Sequence, residues 1–133
     1  MQNVVSLLEI EVANELSTAG VVSVPVLAGQ SDGTRPDQYV SVVVTSAEHR
    51  GQAHLCLLEF RVVGPVFAAP STLLQERMGD VYAWAVGDTS PLKWYSNNGL
   101  NIYGHSPGDL SSETKDTQRA EILQFRVGAQ VVS

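Results

Sequence analysis

The sequence predicts a single α+β domain over residues 1–133, in which a mainly antiparallel sheet of four to five strands packs two helices on one face. Three observations predict this class. The 133 residues are 44% hydrophobic and 17% charged, which suits one domain with a buried core. Two segments carry apolar residues at helical spacing, and others alternate between apolar and polar residues. Short links between consecutive strands favour antiparallel pairing.

The first helix is predicted over residues 3–16, where apolar side chains fall on one stripe. Asn3 can accept a hydrogen bond from a free backbone N–H at the helix start, and Gly20 follows the helix end. The β-rich run 21–27 comes next. Because Pro25 has no N–H to donate, it places this strand at a sheet edge or breaks it.

The next part of the chain predicts a hairpin. Residues 29–37 are polar turn formers and predict an exposed loop, after which residues 39–44 and 52–63 predict two strands. The polar stretch 46–51 is expected to join these strands. On the longer strand, four apolar residues fall on one face: Cys56, Leu58, Phe60 and Val62. Gly64 and Pro65 then end the strand.

A second helix is predicted over residues 70–86, with Ser71 or Thr72 as its N-cap. A short strand at 100–103 and a polar loop at 106–117 are expected to follow. The chain then shows its longest alternating run, 121–131. Leu123, Phe125 and Val127 share one face of this final strand.

The charge and cysteine content exclude several classes. A net charge of -6 argues against non-specific electrostatic binding to nucleic acid or to an anionic membrane. Cys56 is the only cysteine, so no disulfide forms within the chain, and its apolar neighbours predict a buried, inert thiol. The N-terminal residues lack the basic start of a signal peptide, which favours a cytoplasm-like compartment.

The sequence predicts no catalytic, cofactor or metal site. His49, His54 and His105 show no recurrent ligand spacing, and the acidic residues after position 108 favour a solvated surface over a cation site. The glycines at 29–34 lack the Gly-Lys-Ser/Thr ending of a phosphate-binding loop. A small ligand-binding or enzymatic domain is an alternative interpretation, and its binding site would lie near His105, Asp109 and Arg119.

Four features of the whole chain resemble a known family. They are the opening Val-Val-Ser-Leu-Leu at 4–8, the early strand interrupted at Pro25, the second helix before a glycine-flanked strand at 100–103, and the polar, charged segment 113–119 before Leu-Gln-Phe-Arg-Val-Gly-Ala at 123–129. Together they resemble the tail terminator, or tail completion, proteins of tailed bacteriophages. The resemblance covers nearly the full length.

The resemblance implies a homo-oligomeric ring, usually of six subunits, within the tail or neck of a virion assembled in the host cytoplasm. Such a ring binds the tail tube protein at the tube end, stops polymerisation and offers a surface to the head-tail connector. DNA then passes through the lumen without specific binding, which suits an acidic chain. The resemblance implies no membrane contact. The alternative role is that of another head-tail connector or adaptor protein.

Subunit contacts are expected at exposed loops and at aromatic or charged side chains. The rigid guanidinium fork of arginine suits carboxylate pairing at interfaces, and large aromatic side chains anchor them. The candidate interface residues are Arg35, Asp37, Arg50, Trp94, Tyr95, Asp109, Glu113, Asp116 and Arg119.

Overall fold

The computed structural model describes residues 3–29 and 36–132, which form two helices and one six-stranded sheet. The helices are α1 (Val4–Ala19) and α2 (Ser71–Val86); the strands are β1 (Val26–Ala28), β2 (Tyr39–Arg50), β3 (Ala53–Pro65), β4 (Tyr95–Asn97), β5 (Leu100–Lys115) and β6 (Gln118–Val131). Strand order is β1-β2-β3-β6-β5-β4, with β1 parallel to β2 and the other neighbours antiparallel. The α+β class is confirmed, but the sheet is mixed and has six strands. The extra strand, β4, has three residues, too few to show alternation.

The two helices differ in how they begin. Asn3 caps α1 as predicted, since its Oδ1 accepts from the Val5 N–H at 2.7 Å, and Gly20 ends the helix with φ 67°. The predicted cap of α2 at Ser71 or Thr72 is wrong. Pro70 stands at the N-cap with extended backbone and makes no side-chain cap bond, so the helix begins one residue earlier than a hydroxyl cap allows.

Both helices cover the same face of the sheet, and the core lies between them and alternate residues of β2, β3, β5 and β6. The predicted inward faces of β3 and β6 are confirmed: Cys56, Leu58, Phe60, Val62, Leu123, Phe125 and Val127 are all buried. The Phe60 and Phe125 rings meet edge to face with centroids 5.9 Å apart. This contact joins the two central strands beneath α2.

The second face of the curled sheet is also buried near its centre. Six consecutive residues of β2, 39–44, are buried, so both faces of this strand are covered. Val63 of β3 and Ile122 of β6 lie on the second face, and they are buried too. A sheet with one solvated face, which strand alternation predicts, therefore does not describe this end of the molecule.

Strand β1 is the outer strand next to β2, as the proline rule predicts. It begins directly after Pro25, whose carbonyl accepts from the Val40 N–H at 2.9 Å. The strand is shorter than the predicted run 21–27. The following loop, 29–37, lies mostly outside the described residues.

Two predicted loops are strands. The stretch 46–51 belongs almost entirely to β2, and the turn lies at Gly51 and Gln52, where Gly51 has φ 65°. The polar loop predicted at 106–117 is wrong: β5 continues to Lys115, turns at Asp116 with φ 55° and returns as β6. Residues 45–50 and 106–118 are all exposed, so these stretches show no alternation of apolar and polar residues, and backbone pairing with β3 and β6 holds them in the sheet.

Candidate functional site

The most exposed regular structure is the hairpin arm, which we define as residues 106–120 of β5 and β6. Residues 106–118 are all exposed, and the register from Leu110 opposite Leu123 to Lys115 opposite Gln118 is continuous. The register shifts between Pro107 and Leu110, so a bulge separates the arm from the rest of β5. A two-stranded ribbon contributes little stability on its own, which leaves the arm available for contact with another molecule.

An apolar cavity of about 380 Å³ lies between the hairpin arm and α2. Met78, Tyr82, Pro107, Leu110 and Leu123 form its apolar walls. Leu110 lines this cavity and is nevertheless 65% exposed to solvent. The buried Glu121 carboxylate lies at the same place and accepts a hydrogen bond from the Ser112 hydroxyl at 2.6 Å. The cavity can hold an apolar side chain of a partner.

A second groove, of about 300 Å³, lies on the face of the sheet opposite the helices. Its lining includes Leu27 of β1, Tyr39 and Ser41 of β2, Arg61 and Val63 of β3, and Glu113, Lys115 and Arg119 of the arm. Beside it, buried Glu59 accepts from Arg61 Nε at 3.1 Å and from Gln124 Nε2 at 2.7 Å. Both oxygens of the Glu59 carboxylate are therefore hydrogen-bonded within the subunit, and the bond from Gln124 links β3 to β6.

A buried polar cluster ties α1 to β4. Glu11 Oε1 accepts from the Tyr95 hydroxyl at 2.6 Å and from Asn98 Nδ2 at 2.5 Å. Burial and the hydrogen bond to Glu11 raise the pKa of Tyr95 well above its ordinary value. Asn98 has φ 53° in the turn after β4, and its amide bond to Glu11 fixes that turn. The cluster is structural, since its polar atoms bond one another.

The alternative ligand-binding site expected near His105, Asp109 and Arg119 does not form. His105 packs against Phe125 with centroids 5.3 Å apart, and burial followed by the charge of Lys93 lowers its pKa. Arg119 donates to the Ala69 carbonyl at 3.5 Å and pairs with Thr114, nine residues along β5 from His105. At about 3.3 Å per residue, that separation is on the order of 30 Å. His105 itself lies on β5.

The predicted interface residues do not form one patch. Asp109, Glu113, Asp116 and Arg119 lie in the hairpin arm, whereas Arg50 lies at the opposite end of the sheet. Arg50 pairs with Glu48 at 3.2 Å, and both side chains are largely exposed. Such a pair contributes little stability.

The remaining members of that set are scattered. Asp37 is exposed and Trp94 is 66% exposed, whereas its neighbour Tyr95 is buried by the contact with Glu11. Tyr95 is therefore unavailable at the surface. Arg35 lies outside the described residues.

Phe67 and Leu110 are the most exposed of the described large apolar side chains that were not predicted as interface residues. Leu110 stands in a polar stretch, and Phe67, in the turn between β3 and α2, is 83% exposed. The available signal was the isolation of each among polar or turn residues. Single exposed apolar side chains are common on protein surfaces, so isolation alone does not mark a contact site. Leu110 is distinguished by its place in the lining of the apolar cavity beside α2.

The described residues show no group of three or more His, Cys, Asp and Glu side chains arranged to hold a metal ion. Cys56 is buried as predicted, and burial raises the pKa of its thiol. Neither α1 nor α2 is long and apolar enough to cross a membrane.

Comparison with known proteins finds no family model that matches this sequence and no curated protein that is significantly similar to it.

Proposed function

We propose that the chain is a structural virion protein of the tail terminator kind. Its subunits assemble into a ring of six that caps the tail tube, ends tube polymerisation and joins the tail to the head-side connector. The observation that carries the proposal is the hairpin arm, a ribbon whose residues 106–118 are all exposed and which lies next to an apolar cavity. The resemblance of the sequence to tail terminator proteins supplies the particular role.

The arm suits assembly because its exposed surface is dispensable to the core of the subunit. Its apolar side chain, Leu110, lies beside the cavity against α2, and residues 111–118 are polar and exposed. A partner that covers Leu110 removes apolar area from water, which stabilises the complex by about 25 cal/mol per Å² before ordering costs. A ring offers such a partner to every subunit at once.

The charge of the chain suits the same role. A net charge of -6 repels phosphate, so DNA can pass a lumen formed by this protein without adhering to it. In the hairpin arm, Asp109, Glu113 and Asp116 outnumber Lys115 and Arg119. The proposal therefore requires no DNA-binding site.

The test is an assay of tube growth. Tube protein of the parent phage is polymerised with and without this chain, and tube lengths are measured by electron microscopy. The proposal expects shorter tubes when the chain is added. Leu110→Asp in the arm is expected to weaken this effect, and the matched control Ile10→Asp, on an exposed position of α1, is expected to retain it. Unchanged tube lengths with folded protein contradict the proposal.

Another head-tail connector or adaptor is the alternative. Such a protein binds the portal or neck rather than the tube, so it leaves tube growth unchanged but sediments with isolated heads. The same preparation tests both roles when heads and tubes are offered separately.

A further inference from the structure

In the described part of the sheet, the unpaired strand edges include the outer sides of β1 and β4, because each of these strands has a single neighbour. They also include the outer side of β2 beyond residue 42 and that of β5 beyond residue 102, because β1 covers only residues 40–42 and β4 only residues 100–102. Two of these edges, the one on β1 and the one on β5, can be matched with each other. An unpaired edge presents backbone donors and acceptors that another strand can satisfy.

The two edges lie at the same level of the sheet. The pairing registers connect Leu27 through Ser41, Arg61 and Ile122 to Ser111 in one row across five strands. The neighbouring rows connect Val26 with Ser112 and Ala28 with Leu110 in the same way. Because paired residues point to one face, Leu27 and Ser111 share the face opposite the helices.

The strand directions also agree. β1 runs with β2, and three antiparallel steps lead from β2 through β3 and β6 to β5, so β5 runs opposite to β1. Rotation about an axis along the strands preserves the direction of every strand. In a ring with such an axis, β5 of one copy lies antiparallel to β1 of the next. Because the two edges lie at the same level of the sheet, neighbouring copies are not displaced along the ring axis. A repeated contact without rise closes a ring when its rotation divides a full turn.

The edge segments lack the usual guards against pairing. Residues 26–28 and 110–112 contain no charge and no proline, whereas Pro25 directly precedes the first segment and Asp109 and Glu113 directly flank the second. Charges and prolines are the devices that keep edge strands single. The windows left open are therefore three residues long on each edge. In this register Leu110, exposed in the free subunit, meets the small and exposed Ala28 of the next copy.

We infer that each subunit adds its β5 edge at residues 110–112 to the β1 edge at residues 26–28 of a second copy, forming antiparallel pairs Leu110 with Ala28, Ser111 with Leu27 and Ser112 with Val26. The inference rests on the proposed ring and specifies how neighbouring subunits join. A continuous sheet then runs around the ring.

The test is disulfide trapping in the full chain with Leu27→Cys and Ser111→Cys combined. The matched control combines Leu27→Cys with Ser112→Cys, the next residue of β5, whose side chain points to the other face of the sheet. In the proposed register the Cβ atoms at positions 27 and 111 lie about 4.5–5.5 Å apart, close to disulfide distance, whereas positions 27 and 112 face opposite sides of the sheet. Cys56 stays in place, since it is buried. Ring formation is measured separately by electron microscopy of the same samples, before oxidation.

The expected result is a ladder of covalent oligomers on a denaturing gel for Leu27→Cys with Ser111→Cys, absent from the control and from each single variant. Rings without that ladder, a ladder in the control instead, or a disulfide confined to single chains overturns the edge pairing and leaves the proposed ring standing. Absence of rings both in solution and on tube ends overturns the proposed function, and the edge pairing with it.

Discussion

Phe125 is the residue whose removal tests the core most severely. Its side chain is fully buried on β6, and its ring lies 5.9 Å from Phe60, 6.5 Å from Tyr82 and 5.3 Å from His105, centroid to centroid. Truncating a buried phenylalanine to alanine costs about 3–5 kcal/mol. Three ring contacts place Phe125→Ala in the upper half of that range, because each favourable aromatic pair adds about 0.5–1.5 kcal/mol to area burial.

The assay is urea unfolding followed by circular dichroism and by tryptophan fluorescence. With an m-value of about 2 kcal/mol per molar urea, a loss of about 4 kcal/mol lowers the unfolding midpoint by about 2 M. Trp84 reports directly on this region, since it meets Phe60 edge to face at 6.1 Å. Trp94→Ala is the control, because its exposed side chain predicts a change within about 0.5 kcal/mol. A loss below about 1.5 kcal/mol for Phe125→Ala refutes the reasoning, since it lies outside the range for a buried aromatic core residue.

Three further predictions concern backbone space and pH. Gly64→Ala should destabilise the protein by about 1–3 kcal/mol in urea unfolding. The reason is that a Cβ at Gly64 would lie 2.5 Å from that of Ala69. Gly79→Ala, where a Cβ meets open space on α2, should instead stabilise it by about 0.5–1 kcal/mol; equal effects of the two substitutions would contradict the packing. Because folding raises the pKa of Tyr95, the neutral phenol stabilises the folded state. This stabilisation is complete below the ordinary phenol pKa of about 10 and is lost as the pH rises above that value. Unfolding free energies from pH 8 to 11 should therefore fall more steeply for the wild type than for Tyr95→Phe, and parallel curves would oppose this. Because the pKa of His105 is lowered, stability should fall as pH drops below about 6.5, and His105→Asn should flatten that fall between pH 7 and 5; a proton NMR titration of His105 at or above its ordinary pKa would contradict it.

The sequence predicted the parts of the fold where one physical pattern dominates. The stripe of α1 with its Asn3 cap and the inward face of β6 around Phe125 depend on residues close in sequence, and both are confirmed. The burial of Tyr39 and Val43 on the second face was missed, because it depends on how the sheet curls. Curling arises from pairing across the sheet, which no local window contains.

The candidate site was harder to predict than the core. The sequence predicts a loop at 106–117, because Pro107 and Gly108 signal turns and the following residues are polar. The structure instead pairs them with β6, with a bulge where those two residues fall. Leu110 matters because it lies beside α2 and at an edge of the sheet. Because α2 is distant from Leu110 along the chain, no local sequence pattern indicates this position.

Electron microscopy of tail tubes tests the central proposal most directly. Purified tubes of the parent phage are mixed with the folded chain, and the tube ends are imaged and averaged. The proposal predicts a symmetric disc of density, formed by six copies, on one end of each tube. Tube ends that stay bare, in the presence of chain shown to be folded by circular dichroism, contradict it.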